Sequence, residues 1–151
     1  MRGLTMGRIG TALTLGTLTL GTLPCGAALA PVITPIRFPP GATGTTVQGG
    51  VARGEQAIYS IGAAAGQHMT VTIASVEHNA VFQLYTPGAT AIMRDGLPAV
   101  DGTTLKGAAE GDDATRWSGV LPRGGTYLLV VGATRGGADY RLTVSITRAG
   151  S

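Results

Sequence analysis

Residues 117–146 read WSGVLPRGGTYLLVVGATRGGADYRLTVSI and decide the fold. Two breaks, at residues 122–125 and 135–137, divide this stretch into three short runs. The last run alternates polar residues with apolar ones, which are Tyr140, Leu142, Val144 and Ile146. Period-two alternation between Gly- and Pro-rich breaks is typical of half-buried antiparallel strands. The stretch therefore predicts three antiparallel strands in succession.

The composition of the whole chain agrees with a small β-rich domain. Its 151 residues fit one domain, and 44% of them are apolar whereas 13% are charged, which excludes a disordered chain. Glycine occurs 25 times, mostly between the apolar runs, and this favours many turns and short strands over long helices.

The strand count predicts an all-β fold, an antiparallel β-sandwich or jelly roll of about eight strands. Residues 90–113 are the least regular part, and we predict a long polar loop there with short strands at 91–93 and 103–105. The alternation also predicts the large side chains of the core. These are Tyr59, Ile61, Met69, Val71, Ile73, Phe82, Leu84, Trp117, Leu121, Tyr127, Leu129, Val131, Tyr140, Leu142, Val144 and Ile146.

The first residues predict export. Arg2 and Arg8 precede an uncharged apolar run at residues 9–23, and small residues follow it, as in a secretory signal peptide. That run is shorter than a membrane span requires, so we favour cleavage over a retained anchor. We predict a signal peptide at 1–28, a Pro/Gly-rich lead-in at 29–44 and a β-sandwich domain at 45–148, in a periplasmic or secreted protein.

Two function classes are disfavoured by what the mature chain would contain. Cys25 is the only cysteine and lies in the predicted signal, so disulfides, thiol catalysis and cysteine metal sites are excluded after cleavage. Removing Arg2 and Arg8 leaves nine basic and eight acidic side chains, a net charge of +1. Without a basic stripe, nucleic-acid binding is disfavoured as well.

Two weaker patterns suggest chemistry. Glu77 and His78 are adjacent and form a possible acid–base pair, but such catalysis needs an enclosed, positioned pair, so we rank a hydrolase last. Five acidic residues are candidate calcium ligands, although they do not match an EF-hand loop. They are Asp95, Asp101, Glu110, Asp112 and Asp113. Our expectation is a protein without a cofactor, with calcium as the alternative.

The segment QAIYSIGAAAGQ, at residues 56–67, resembles the Y-x-h-x-A-x-x-G-Q segment of pre-peptidase C-terminal-like jelly rolls. The same family's closing strands resemble residues 117–122, 125–127 and 138–144. The resemblance implies a generic exported module that binds calcium, a glycan or another cell-wall component.

A narrower resemblance is to bacterial periplasmic inhibitors of g-type lysozyme, and it spans residues 37–146. Four pairs of residues match the pattern of these inhibitors, namely Arg37-Phe38, Gly66-Gln67, Pro87-Gly88 and Thr134-Arg135. This chain departs from that pattern in the loop before the last strand, which is shorter and keeps Arg135 as its single base. The resemblance implies a non-enzymatic protein that inserts this loop into the enzyme cleft. It assigns partner binding to Arg135 and Thr134, backed by Tyr59.

Overall fold

The structure is a computed structural model, and it describes residues 30–148. The predicted signal peptide at 1–28 lies outside the described residues. The described residues form ten strands: β1 (Ile33–Pro35), β2 (Gly44–Val51), β3 (Ala57–Ala63), β4 (His68–Ser75), β5 (Ala80–Tyr85), β6 (Thr90–Arg94), β7 (Leu97–Asp101), β8 (Arg116–Val120), β9 (Gly125–Ala133) and β10 (Ala138–Thr147). The all-β prediction is confirmed. Within residues 30–148, no helix has the length and apolarity that crossing a bilayer requires.

Eight of the ten strands form two sheets that face each other. Sheet A has the order β1-β3-β9-β5, and sheet B has the order β2-β10-β4-β8. All pairs within them are antiparallel except β1 with β3, where Ile33 lies opposite Ile58. The predicted last strands become β8, β9 and β10, and β9 and β10 are central strands of different sheets.

The main core lies between the two sheets. All but one of the side chains predicted for it are buried there. The exception is Trp117, which is half-buried at the β8 edge and packs against the core. Its indole nitrogen donates to the carbonyl oxygen of Lys106 at 3.0 Å. An edge strand leaves part of a large ring exposed, and this explains the difference.

The predicted polar loop at residues 90–113 is instead partly a hairpin, made of β6 and β7. It covers the outer face of sheet A and buries a second apolar cluster of Ile58, Tyr85, Val100, Leu128 and Val130. The strand predicted at 91–93 is confirmed. At 103–105 the prediction was wrong, because only an isolated bridge between Tyr85 and Thr104 forms there. Strand β9 is consequently buried on both faces.

The predicted lead-in carries part of the fold. Strand β1 lies within it, and the Ile36 amide donates to the Ser60 carbonyl oxygen at 2.9 Å. Ile36 is buried in the main core, and Phe38 packs against the same cluster. The proline-rich segment therefore adds an edge strand and two apolar side chains to the sandwich.

Candidate functional site

Two connections between the sheets meet at one end of the sandwich. The Arg135 loop, residues 134–137, joins β9 of sheet A to β10 of sheet B. The β4–β5 turn, residues 76–79, joins β4 of sheet B to β5 of sheet A. Because β4 pairs with β10 and β5 pairs with β9, both connections cross at the same place. The pairing of the four strands thus brings two distant segments of sequence side by side.

Asn79 holds the Arg135 loop from beneath. Its side chain is 2% exposed, and its amide nitrogen donates to the carbonyl oxygens of Arg135 at 3.0 Å and Gly137 at 2.8 Å. The main-chain carbonyl oxygen of Asn79 accepts a hydrogen bond from the main-chain amide of Thr134 at 2.8 Å. The Ser75 hydroxyl oxygen accepts the Asn79 amide at 3.1 Å. A buried amide with this many partners fixes the loop backbone in one conformation.

The side chain of Arg135 is exposed above this clamp. Its Nη2 donates to the carbonyl oxygen of Glu77 at 3.0 Å, so the guanidinium rests against the β4–β5 turn. An arginine has five N–H donors, and the remaining four can bind a carboxylate. Thr134 is also exposed, and its hydroxyl donates to the Asn79 carbonyl oxygen at 3.4 Å. The structure therefore brings Thr134 and Arg135 together at the surface.

Tyr59, the third residue assigned to partner binding, lies in the core. It is 6% exposed, and its hydroxyl forms a 2.5 Å hydrogen bond with the hydroxyl of Tyr140. Burial, together with this hydrogen bond, raises the pKa of Tyr140. Since Tyr59 occupies an inward position on β3, it does not share the surface of the Arg135 loop. The structure places Tyr59 in the main core, opposite Leu129 of β9.

Glu77 and His78 sit in the β4–β5 turn, and both are exposed. His78 has a positive φ of 54°, and its amide donates to the Ser75 carbonyl oxygen at 3.2 Å. General acid–base catalysis requires a pair of side chains that is enclosed and positioned. The turn instead leaves both side chains exposed at the surface. Their position beside Arg135 makes them part of the surface of this end.

The five acidic candidates for calcium binding lie on turns and strand ends, and Asp95 and Glu110 line one surface pocket. Within residues 30–148, no three Asp, Glu, His or Cys side chains come together in a way that suits a metal ion. Asp95 lies at the tip of the β6–β7 hairpin and Asp101 ends β7. The carboxylate of Asp112 accepts the Ala109 amide at 2.9 Å and closes a turn.

Burial and the nearby carboxylate of Glu110 raise the pKa of Tyr85.

A surface pocket of about 350 Å³ opens beside the Arg135 loop. Residues of the β4–β5 turn, the end of β2 and the start of β10 line it. They are Val51, Val76, Glu77, Asn79, Gly137, Ala138 and Asp139. Val76 is 93% exposed at its rim. The pocket combines apolar walls with two carboxylates.

Sequence reasoning missed Asn79 and this pocket. Asn79 reads as an ordinary turn residue, and its partner Arg135 is 56 residues away along the chain. The one available signal was that the polar turn passes directly into the apolar run of β5. A polar residue in that position lies next to the core and is therefore a candidate for burial.

Solved structures provide the comparison with known proteins. The periplasmic inhibitor of g-type lysozyme from Aeromonas hydrophila aligns with 29% identity and a TM-score of 0.61, over 78% of this chain and 98% of that chain. The corresponding Salmonella Typhimurium inhibitor aligns with 20% identity and a TM-score of 0.53, over 76% of this chain and 97% of that chain.

A pre-peptidase C-terminal domain of a Bacillus anthracis collagenase aligns with 13% identity and a TM-score of 0.45, over 76% of this chain and 96% of that chain. No family model and no curated protein matches the chain. In fold, and over nearly the full length of the Aeromonas protein, the chain is similar to periplasmic inhibitors of g-type lysozyme.

Proposed function

We propose that this chain is an exported, non-enzymatic inhibitor of g-type lysozyme that inserts the Arg135 loop into the enzyme cleft. The observation that carries the proposal is the exposed guanidinium of Arg135 on a loop that Asn79 clamps from the core. The likeness to the Aeromonas inhibitor supports the choice of partner. Export to the periplasm or beyond agrees with the predicted signal peptide.

The chemistry of the enzyme supports an arginine as the inhibiting group. Glycoside hydrolases act through carboxyl groups that flank the scissile bond. An arginine in that cleft forms charge-assisted, bidentate hydrogen bonds with a carboxylate. Truncating one partner of such a buried charge pair typically costs about 2–5 kcal/mol of binding free energy. Loss of the Arg135 guanidinium should therefore weaken binding markedly, because it leaves the enzyme's carboxylate buried and unpaired.

The geometry of the loop lowers the cost of binding. A flexible loop loses conformational entropy when a partner immobilises it, whereas a preorganised loop has little to lose. Here the carbonyl oxygens of Arg135 and Gly137 are already fixed by Asn79. A four-residue loop with one base can act in this way because its conformation is set before the enzyme arrives.

The test is the lysis of cell walls by goose-type lysozyme in the presence of residues 29–151 at micromolar concentration. We expect inhibition, and we expect Arg135→Ala to weaken it by about 30-fold or more. Arg123→Ala is the matched control, because Arg123 precedes the start of β9 whereas Arg135 follows its end. Lysozyme activity that stays unchanged with the wild-type chain would overturn the proposal.

A further inference from the structure

The pocket between the β4–β5 turn and the Arg135 loop has the composition of a receptor for a long basic side chain. We propose that it receives a lysine or arginine side chain of the bound lysozyme. This inference rests on the proposed function, since it assigns a second contact to the same binding surface. The pocket has a volume of about 350 Å³, which accommodates a single extended side chain.

The apolar part of the pocket fits the stem of such a side chain. Val51, Val76 and Ala138 line it, and among the large hydrophobic side chains of residues 30–148 Val76 is the most exposed, at 93%. Lysine and arginine bury their methylene groups along apolar surface while the charged head stays polar. Val76 at the rim gives the stem an apolar surface that the fold itself does not use.

The polar part of the pocket fits the charged head. Glu77 and Asp139 line it, and both are exposed. A Cβ atom on Gly50 would lie 2.7 Å from Oδ1 of Asp139, so the glycine on the neighbouring strand leaves space for this carboxylate. Two acidic residues in the lining of one pocket attract a cation and repel an acidic partner group. The pocket therefore selects a base.

The pocket and Arg135 form one surface with two opposite charges. The turn that supplies Val76 and Glu77 also accepts the guanidinium of Arg135, through the carbonyl oxygen of Glu77 at 3.0 Å. Arg135 would bind a carboxylate of the enzyme, and the pocket would bind a base at a fixed distance from it. Alternating charges across an interface fix the register of two partners and reject wrong ones. The pocket is thus the specificity element of the surface.

Neutralising Asp139 tests whether the pocket faces a base or an acidic surface of lysozyme, because the two cases change inhibition in opposite directions. If the partner surface here is only acidic, Asp139→Asn removes a repulsion and strengthens inhibition of goose-type lysozyme. If the pocket binds a base, Asp139→Asn and Glu77→Gln each weaken inhibition, by about 3- to 10-fold. Asp95→Asn is the matched control on the hairpin tip, and we expect it to leave the inhibition constant unchanged.

A second variant tests the apolar wall without disturbing the fold. We expect Val76→Ser to weaken inhibition by about 3-fold or more, with no change in melting temperature because the side chain is exposed. Val120→Ser is its control, since Val120 is 63% exposed and lies at the other end of the sandwich, opposite His68.

The outcomes separate this inference from the proposed function. If the wild-type chain inhibits and Arg135→Ala does not, but Asp139→Asn inhibits equally well or better, the pocket is not a receptor for a base and only the inference falls. If the wild-type chain does not inhibit the enzyme, both fall.

Discussion

Asn79 donates its side-chain amide to the carbonyl oxygen of Arg135 at 3.0 Å, and the two residues are 56 positions apart in the sequence. One residue is buried and the other is exposed. The bond therefore connects the packing of the core to the orientation of the side chain that we propose to contact lysozyme. A change at Asn79 should therefore alter inhibition through the position of Arg135.

We first predict that Asn79→Ala weakens inhibition through Arg135. The substitution leaves the carbonyl oxygens of Arg135 and Gly137 without their donor, and each lost hydrogen bond costs about 0.5–1.5 kcal/mol of stability. The loop becomes mobile and the inhibition constant rises. Urea unfolding and lysozyme assays measure the two effects.

A double-mutant cycle and a control separate positioning from general damage. If Asn79 acts through Arg135, Asn79→Ala costs little further inhibition in an Arg135→Ala background. Thr86→Val removes another buried hydrogen bond, from the Thr86 hydroxyl to the Thr103 carbonyl oxygen, just past the other end of β5. Equal loss of inhibition in Thr86→Val would contradict the positioning role.

We predict that position 49 must be a glycine, because the hydroxyl groups of two buried tyrosines pack against it. A Cβ atom there would lie 2.6 Å from the hydroxyl oxygen of Tyr140 and 3.0 Å from that of Tyr59. Gly49→Ala should therefore force the hydroxyls apart and lower the free energy of unfolding by about 1–3 kcal/mol. Gly62→Ala is the control, because a Cβ atom at Gly62 meets nothing within 4 Å. Similar urea midpoints for the two variants would contradict the argument.

The stability of the protein should fall at high pH because of Tyr140. Burial and the hydrogen bond to Tyr59 raise the pKa of Tyr140 in the folded state. In the unfolded chain the pKa of a tyrosine is about 10. The folded state thus holds the proton more tightly, and this stabilisation is present below about pH 10 and lost as the pH rises further. Burial and the carboxylate of Glu110 raise the pKa of Tyr85 as well, so a variant that lacks the Tyr140 hydroxyl is needed to isolate the contribution of Tyr140.

Unfolding free energies measured from about pH 8 to about pH 11 test this expectation. We expect a decline with pH in the wild-type chain and a shallower decline in Tyr140→Phe. A decline of the same steepness in both proteins would assign the effect to other groups.

Leu128 should be as important to stability as an ordinary core residue, although alternation places it on the outer face of β9. The hairpin of β6 and β7 buries it to 5% exposure. We expect Leu128→Ala to lower the free energy of unfolding by about 2–4 kcal/mol. The comparison is Val120→Ala, which is 63% exposed and should cost at most about 0.5 kcal/mol. An equally small effect at Leu128 would mean that the hairpin does not cover sheet A.

Calcium should not raise the melting temperature of the mature chain. The candidate ligands Asp95, Asp101 and Asp112 lie at a hairpin tip, a strand end and a turn, and a calcium ion needs six to eight oxygens around one point. Thermal melting with millimolar calcium and with a chelator measures this. A rise with calcium would restore the alternative of a calcium-binding module.

The sequence predicts the sandwich and its main core because alternation is a local signal. Tyr140, Leu142 and Val144 alternate within one strand, and they are buried as predicted. Burial of the opposite face of β9 depends on a hairpin about 30 residues earlier, at β6 and β7, which no local pattern reveals. Alternation placed Leu128 and Val130 on the outer face of β9, and the structure buries both of them beneath the hairpin.

The candidate site was predicted only in part for the same reason. Arg135 stands out in the sequence as a single base in a glycine-rich turn, and the structure shows it exposed. Tyr59 was assigned to two places at once, the core and the partner surface, and its hydrogen bond to Tyr140 places it in the core. Asn79 and the pocket depend on strand pairing across the two sheets, which is a tertiary property.

The parallel pairing of β1 with β3 determines how the protein can be attached to a support. Ile33 lies opposite Ile58 near the start of β3, so the chain enters the sandwich at the end that carries Arg135. It leaves β10 at Thr147, the last of the ten residues that begin with Ala138, which is about 30 Å away along the strand. A tether placed after residue 148 keeps the Arg135 end open to a large enzyme, whereas one placed before residue 30 crowds it.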